Sequence, residues 1–366
     1  MTESSLTQKL SEIPDTALDH DVSLADLTTL RLGGRPRFTV RCATTAAAAE
    51  AIRVLDRAGQ EILVVGGGSN LVVAEGDLDL VVVLLENDGV SYGQDGLIEA
   101  EAGAVWDDVV AGSVERGLGG LECLSGIPGS AGATPVQNVG AYGAEVAETL
   151  TEVLLLDRTD GSLSWAPASS LELAYRYSNL KFTGRAVVLA LRMQLSTDGL
   201  STPLRFGQLA GEAGQRRPVA QVREEVLALR RGKGMVLDDA DHDTWSAGSF
   251  FTNPVVDPAV ADEVQSRVRE TRGAEDAERM PRWPADGGDK LSAAWLIERA
   301  GFPRGYPDEG AAVRLSTKHT LALTNRGSAV TGDLVALARK VRDGVRAEFG
   351  VTLVPEPVWI GVSIDA

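Results

Sequence analysis

The segment Ile127-Pro-Gly-Ser-Ala-Gly-Ala-Thr-Pro-Val-Gln-Asn-Val-Gly-Ala-Tyr-Gly143 limits what this chain can become more than any other stretch. Its glycines (Gly129, Gly132, Gly140, Gly143) and prolines (Pro128, Pro135) forbid a regular helix or strand across it. Glycine belongs where backbone turns sharply or comes close to another group. With Ser130, Thr134, Gln137 and Asn138 interleaved, the run offers backbone N–H groups and small polar side chains, which together can form a nest for an anion such as a diphosphate. An ordinary irregular loop is the alternative.

A second patch, Gly66-Gly-Gly-Ser-Asn70, comes directly after the apolar run Ile62–Val65. Strand then glycines invites the dinucleotide fingerprint, but that motif needs a third glycine and a helix. Leu71 stands at the third glycine's place, and the residues beyond it (Leu71–Val73, then Leu80–Leu85) are apolar and β-rich, so they read as strand. Two glycine turns, each between strands, fit a long anionic ligand held across several loops.

A net charge of −17 excludes nucleic acid, which needs a basic footprint. A small anionic substrate stays open, because Arg230, Arg231 and Lys233 cluster locally, as do Arg176 and Lys181. No apolar run reaches the ~18 residues of a membrane span, and Met1–His20 lacks the basic and apolar blocks of a signal peptide, so a cytoplasmic protein with no membrane partner is expected. Cys42 and Cys123 are too few for a disulfide framework, and His20, His242 and His319 have no metal spacing, so no metal is expected. His319 reads as a packing or hydrogen-bonding residue in a strand.

Residues 1–20 read as a flexible tail. Short strands, with helices over 46–58 and 106–116, indicate an α+β domain over 21–200 in two lobes, about 21–85 and 86–200. A second α+β domain over 201–350 has helices at 218–231, from Asp257-Pro258, at 292–300 and from Asp333, with a loop over 273–289. The segment 351–366 reads as a terminal strand broken by Pro355-Glu-Pro357.

With these motifs in place, the chain resembles the UDP-N-acetylenolpyruvoylglucosamine reductases (MurB), in the form with a substrate-capping loop. The resemblance covers nearly the whole chain, from Thr28-Thr-Leu-Arg-Leu-Gly-Gly34 to Glu356. It rests on Gly66-Gly-Gly-Ser-Asn70, the 127–143 loop, Ala174-Tyr-Arg-Tyr-Ser178, Ala247-Gly-Ser-Phe-Phe-Thr-Asn-Pro254 and Pro355-Glu356, in that order. It implies the FAD-binding fold of the vanillyl-alcohol oxidase (PCMH) type plus an α+β substrate-binding domain. It also implies FAD and NADPH as cofactors, and reduction of the small molecule UDP-N-acetylglucosamine enolpyruvate to UDP-N-acetylmuramate for peptidoglycan. A monomer is expected.

The resemblance assigns FAD contacts to Gly66, Gly67, Gly68, Ser69, Asn70, Leu71, Ile127, Pro128, Gly129, Ser130, Gly132, Ala133, Gln137, Asn138 and Gly140. Hydride arrival at the terminal alkene carbon leaves an enolate, which a fixed cation stabilises. Arg176 matches that role, against the alternative of an ion-paired surface arginine. Ser249 matches the proton donor, against a turn or cap serine. Glu356 matches an assistant to enolate protonation, against an exposed strand-end glutamate. Lys233 matches a point charge for the UDP diphosphate, while Tyr142, Tyr175, Phe206 and Asn253 match further substrate contacts.

Three positions depart from the family pattern. Phe206 stands where tyrosine is usual: its ring can stack on uracil, but a hydroxyl contact of about 0.5–1.5 kcal/mol is missing. Tyr177 stands where some members have aspartate, and Pro357 where valine is usual. An FAD-dependent alcohol oxidase of the same fold is the alternative activity, and a non-catalytic binding protein a third reading.

Overall fold

The computed structural model describes residues 3–365, which divide into two compact units. The first runs to Leu27 and takes in Gly34–Gly68 and Gly76–Val236. The second comprises Thr28–Gly33, Ser69–Glu75 and the chain from Leu237 onward.

The first unit holds two sheets. In the four-stranded one, Arg35–Cys42 pairs antiparallel with Thr16–Asp19 and parallel with Asp77–Leu85, whose far edge takes Ile62–Val65 in parallel. Leu80–Leu85 is buried without a break, as in strands covered on both faces. The five-stranded antiparallel sheet runs Leu163–Pro167, Leu150–Asp157, Ala186–Gln194, Leu97–Glu101, Val90–Tyr92. The helix Thr45–Arg57 is capped by Thr44, whose hydroxyl accepts from the Ala47 N–H at 3.2 Å. Its Ala47, Ala48, Ala51, Ile52 and Leu55 share one core with Phe38 and Val83 of the first sheet and with Leu156 and Leu189 of the second. Alanine lets the helix backbone approach both sheets closely, which joins them in one core, in keeping with the expected α+β class.

Residues 3–20 are not a loose tail. Glu3–Ser11 is a helix that buries Leu6 and Leu10, four apart on one face, and Thr16–Asp19 adds an edge strand. The low apolar content of this stretch hid two well-placed leucines. The first unit also extends past 200, because the helix Val219–Gly232 buries Val222 and Val226 in the core built around Trp106, Leu121 and Leu191.

The second unit packs the helices Pro258–Arg272, Ala293–Arg299 and Thr331–Phe349 around a core with Phe250, Phe251 and Leu323. Asp257 caps the first of these through the Ala259 N–H at 2.8 Å, with Pro258 in the first turn. The expected loop 273–289 instead carries a short helix, Ala274–Glu278, and a hairpin, Arg282–Ala285 with Gly288–Leu291, turning at Asp286-Gly287. Pro284 is tolerated there because Arg282–Ala285 is an edge strand. Among the described residues beyond Gly350, only Val358–Ile360 is strand, parallel to Leu71–Val73.

Candidate active site

In the first unit the two glycine loops interlock. A Cβ at Gly66 would lie 2.0 Å from the Ser130 hydroxyl oxygen, and one at Gly67 2.6 Å from the Gly129 Cα. Among the described residues, no protein acceptor takes the N–H groups of Gly67, Gly68, Gly129 or Ser130, although Gly68 and Ser130 are buried. Buried backbone donors without acceptors are rare in native structures. Such donors, gathered on two interlocked loops, fit an anionic group such as the diphosphate of FAD. Ile127 is half-buried at the head of this loop, next to Pro128.

Other residues of the long loop hold it in shape. The Gly132 N–H donates to the Ala102 carbonyl at 3.0 Å, and the Ala133 N–H to Ser130 at 3.1 Å. A Cβ at Gly132 would meet that of Ala102 at 2.5 Å. After the turn Pro135–Gln137, Asn138 adopts φ +46° and is buried. Its side chain donates to Glu145 at 2.7 Å and to the Ala174 carbonyl at 3.1 Å, and accepts from the Ala147 N–H at 3.0 Å. Asn138 therefore braces the loop from within, where the sequence offered it as a ligand contact.

That brace leads directly to Arg176. Ala174 and Tyr177 exchange backbone hydrogen bonds of 3.1 and 3.0 Å around the tip Tyr175-Arg176, with Arg176 at φ +55°. The Arg176 guanidinium donates to the Gly140 carbonyl at 2.8 Å and lies 5.1 Å from the centre of the Tyr175 ring, which is exposed. The loop thus fixes one prong of the guanidinium's donor fork.

Tyr142, Phe206 and Lys233 converge. The two rings meet edge to face at 5.1 Å, and the Lys233 ammonium lies 5.7 Å from the centre of the Tyr142 ring. Arg230, in the sequence simply one member of a basic cluster, is buried beneath them. It donates to the Met235 carbonyl at 2.7 Å, while its Nε has no partner among the described residues. Burial pushes the Lys233 ammonium below its ordinary pKa, and the charge of Arg230 pushes it the same way. Burial raises the Tyr142 phenol, opposed by Arg230. With Arg230 buried and Lys233, Tyr142 and Phe206 half-buried, the two cations and two rings suit the diphosphate and base of a nucleotide.

In the second unit, Phe250 is the anchor. It is fully buried, 5.2 Å from the Phe251 ring centre and 5.9 Å from that of Trp359. Its N–H donates to the Leu321 carbonyl at 2.8 Å, and its carbonyl accepts from the Glu356 N–H at 2.9 Å. One rigid backbone position therefore carries Ser249 immediately before it, Glu356 on one side and the 316–322 turn on the other. The Ser249 hydroxyl lies 3.5 Å from His319 Nε2. Ser249, His319 and Glu356 are all half-buried. His319, expected from the sequence to pack or hydrogen-bond in a strand, makes this contact from a turn instead.

The Asn253 side-chain oxygen accepts from the Ala293 N–H at 3.0 Å and so holds the first turn of the helix Ala293–Arg299. Ser69, Asn70 and Leu71 lie in this unit. The Asn70 carbonyl accepts from the Val358 N–H at 2.9 Å, which fixes the chain two residues beyond Glu356. A cavity of about 470 Å³ in the unit is lined by Arg304, Asp308, Glu309, Arg314 and Thr317 of the 316–322 turn, none of them a predicted site residue. No cluster of potential metal ligands occurs among the described residues.

Residues 36–166 match the family model of an FAD binding domain, and residues 239–360 match that of the C-terminal domain of UDP-N-acetylenolpyruvoylglucosamine reductase. The UDP-N-acetylenolpyruvoylglucosamine reductase of Corynebacterium glutamicum (strain R) is 64% identical over 374 residues, covering 100% of both chains. That of Mycobacterium avium (strain 104) is 54% identical and covers 93% of this chain and 94% of its own. The crystal structure of MurB from Thermus caldophilus shares the fold with a TM-score of 0.63 at 24% identity, over 94% of this chain and 98% of that one. By full-length identity and by both domain matches, the chain belongs to the UDP-N-acetylenolpyruvoylglucosamine reductase family.

Proposed function

We propose that this protein reduces UDP-N-acetylglucosamine enolpyruvate to UDP-N-acetylmuramate, with NADPH as the source of the hydride, in the making of peptidoglycan precursors. The observation that carries this reading is the bracing of Phe250 between Leu321 and Glu356, which gives Ser249 and Glu356 a shared rigid support. FAD, when bound, supplies the hydride carrier. Gly67, Gly68, Gly129 and Ser130 would hold its diphosphate through their backbone donors.

The rest of the chemistry belongs to side chains. Arg176 meets the negative charge that develops on the carboxylate side of the enolpyruvyl group. The Ser249 hydroxyl delivers a proton to the second carbon, and Glu356 orients or stabilises the enolate during that transfer. Lys233, Tyr142 and Phe206 take the diphosphate and uracil, with Tyr175 and Asn253 as further contacts. Phe206 supports the stacking role through its edge-to-face packing on Tyr142.

An alcohol oxidase with flavin attached to His or Cys gains no support from the two glycine loops, which carry neither residue type, and burial pushes the Cys42 and Cys123 thiols up to about 12. Anaerobic stopped-flow absorbance tests the proposal. NADPH should bleach the flavin, and the enolpyruvyl substrate should restore its colour without oxygen. Recovery only after air is admitted would favour the oxidase, and a protein that takes up no FAD would overturn the reading.

A further inference from the structure

We propose that His319 acts through Ser249, returning a proton to the serine hydroxyl as that hydroxyl gives its own to the substrate carbon. This rests on the reading of Ser249 as proton donor.

A serine hydroxyl is a weak acid, and delivering its proton alone would leave an alkoxide. Imidazole is the side chain whose ordinary titration lies nearest neutrality, so it is the group suited to refill the hydroxyl within one turnover. Its Nε2 stands 3.5 Å from the Ser249 oxygen. Hydrogen bonds of catalytic groups are often this long before substrate binds, and tighten afterwards.

The turn that carries His319 is locked on all sides. The Ser316 hydroxyl accepts from the N–H groups of Lys318 and His319 at 3.0 and 3.2 Å, and the His319 carbonyl accepts from Ala322 at 3.0 Å. The neighbouring polar side chains are engaged elsewhere, Lys318 with Asp241 and Thr320 with Glu298. Through Leu321 the same turn is tied to Phe250, and Phe250 to Glu356. Of the turn's side chains, the imidazole is therefore the one aimed at Ser249.

In the step itself, the Ser249 O–H bond breaks as a C–H bond forms from the electron pair on the substrate carbon. The Nε2–H of protonated His319 breaks as the Ser249 O–H re-forms. Neutral imidazole remains and recovers its proton from water. The hydride on the other carbon comes from the proposed reaction, so no further reductant is needed.

The test uses the FAD-loaded protein. His319→Ala should leave flavin bleaching by NADPH within about twofold, yet slow colour recovery by the enolpyruvyl substrate about 10²-fold, in the range of general acid catalysis. Added imidazole should restore it. His319→Gln, which can hydrogen-bond to Ser249 but cannot cycle a proton, should stay slow. Full speed in either variant, or no recovery with imidazole, overturns the proposal.

A spectroscopic readout stands apart from turnover. The chain has only 3 histidines, so in NMR of labelled protein Ser249→Ala should move one imidazole signal. If none moves, the contact is absent and the proposal falls, even if His319→Ala itself does not fold. Rapid recovery in Ser249→Ala would instead sink the serine assignment, a separate failure.

Discussion

Ser130 occupies the space that any side chain at Gly66 would need, its hydroxyl 2.0 Å and its Cβ 3.0 Å from the position of an added Cβ. At the next residue the obstacle is backbone, with the Gly129 Cα at 2.6 Å. Gly66→Ala should therefore purify with reduced flavin, and adding Ser130→Gly should restore it. Gly67→Ala should lose flavin in either background. The ratio of flavin to protein absorbance measures this; equal rescue of both glycine variants would mean that the loops are not interlocked as described.

Arg176 is fixed by Gly140 and aimed by a left-handed backbone position. Removing one preorganised donor to a developing anion costs about 10²–10³ in rate. Arg176→Ala should slow flavin reoxidation by the substrate by that factor while bleaching by NADPH stays nearly unchanged. A loss confined to KM would show that Arg176 only binds substrate.

Phe206 lacks the hydroxyl of the tyrosine that the family resemblance leads one to expect there. Phe206→Tyr keeps the edge-to-face contact with Tyr142 and adds a hydrogen-bonding group. A gain of about 0.5–1.5 kcal/mol corresponds to a KM lowered by roughly two- to tenfold with kcat unchanged. Steady-state kinetics at saturating NADPH would show it. An unchanged or raised KM would mean that the hydroxyl reaches no partner.

Asp107 ties the helix Trp106–Glu115 to the glycine loop. It accepts from Arg223 at 2.6 and 2.9 Å and from the Gly126 N–H at 2.6 Å. Burial alone would raise its carboxyl, but the Arg223 and Gly126 hydrogen bonds win and hold it below the ordinary 3.8. A depressed carboxylate stabilises the fold fully above the unfolded value and loses that contribution as pH falls through the folded one. Asp107→Asn should thus destabilise by about 1–3 kcal/mol at neutral pH. The gap from wild type should hold down to about pH 5 and shrink below 4. Urea unfolding at pH 7 and pH 3.5 checks this, and a gap independent of pH would remove the ion pair as its cause.

The site was legible in unequal measure. The glycine loops stood out because backbone geometry leaves a local trace in the sequence, whereas Arg176, Ser249 and Glu356 were named only by the motifs that resemble the family. Tyr142 and Phe206, far apart in the chain, were both marked as substrate contacts, but nothing local said that their rings touch. Asn138 and Asn253 looked like ligand contacts because an amide side chain can bind a ligand or the protein's own backbone. The structure uses both as braces.

By itself the sequence determined the α+β class, most helices and strands, and the turns where only glycine fits, since these arise from periodicity and steric rules a few residues wide. It could not determine that Leu6 and Leu10 dock a helix, that Asp286-Gly287 closes a hairpin, or that the helix Val219–Gly232 belongs with the first unit. Each depends on which distant apolar surface is there to be covered. The pairing of Ser249 with His319, 70 residues apart, was decided the same way, by the backbone hydrogen bond from Phe250 to Leu321 that only the folded chain can form.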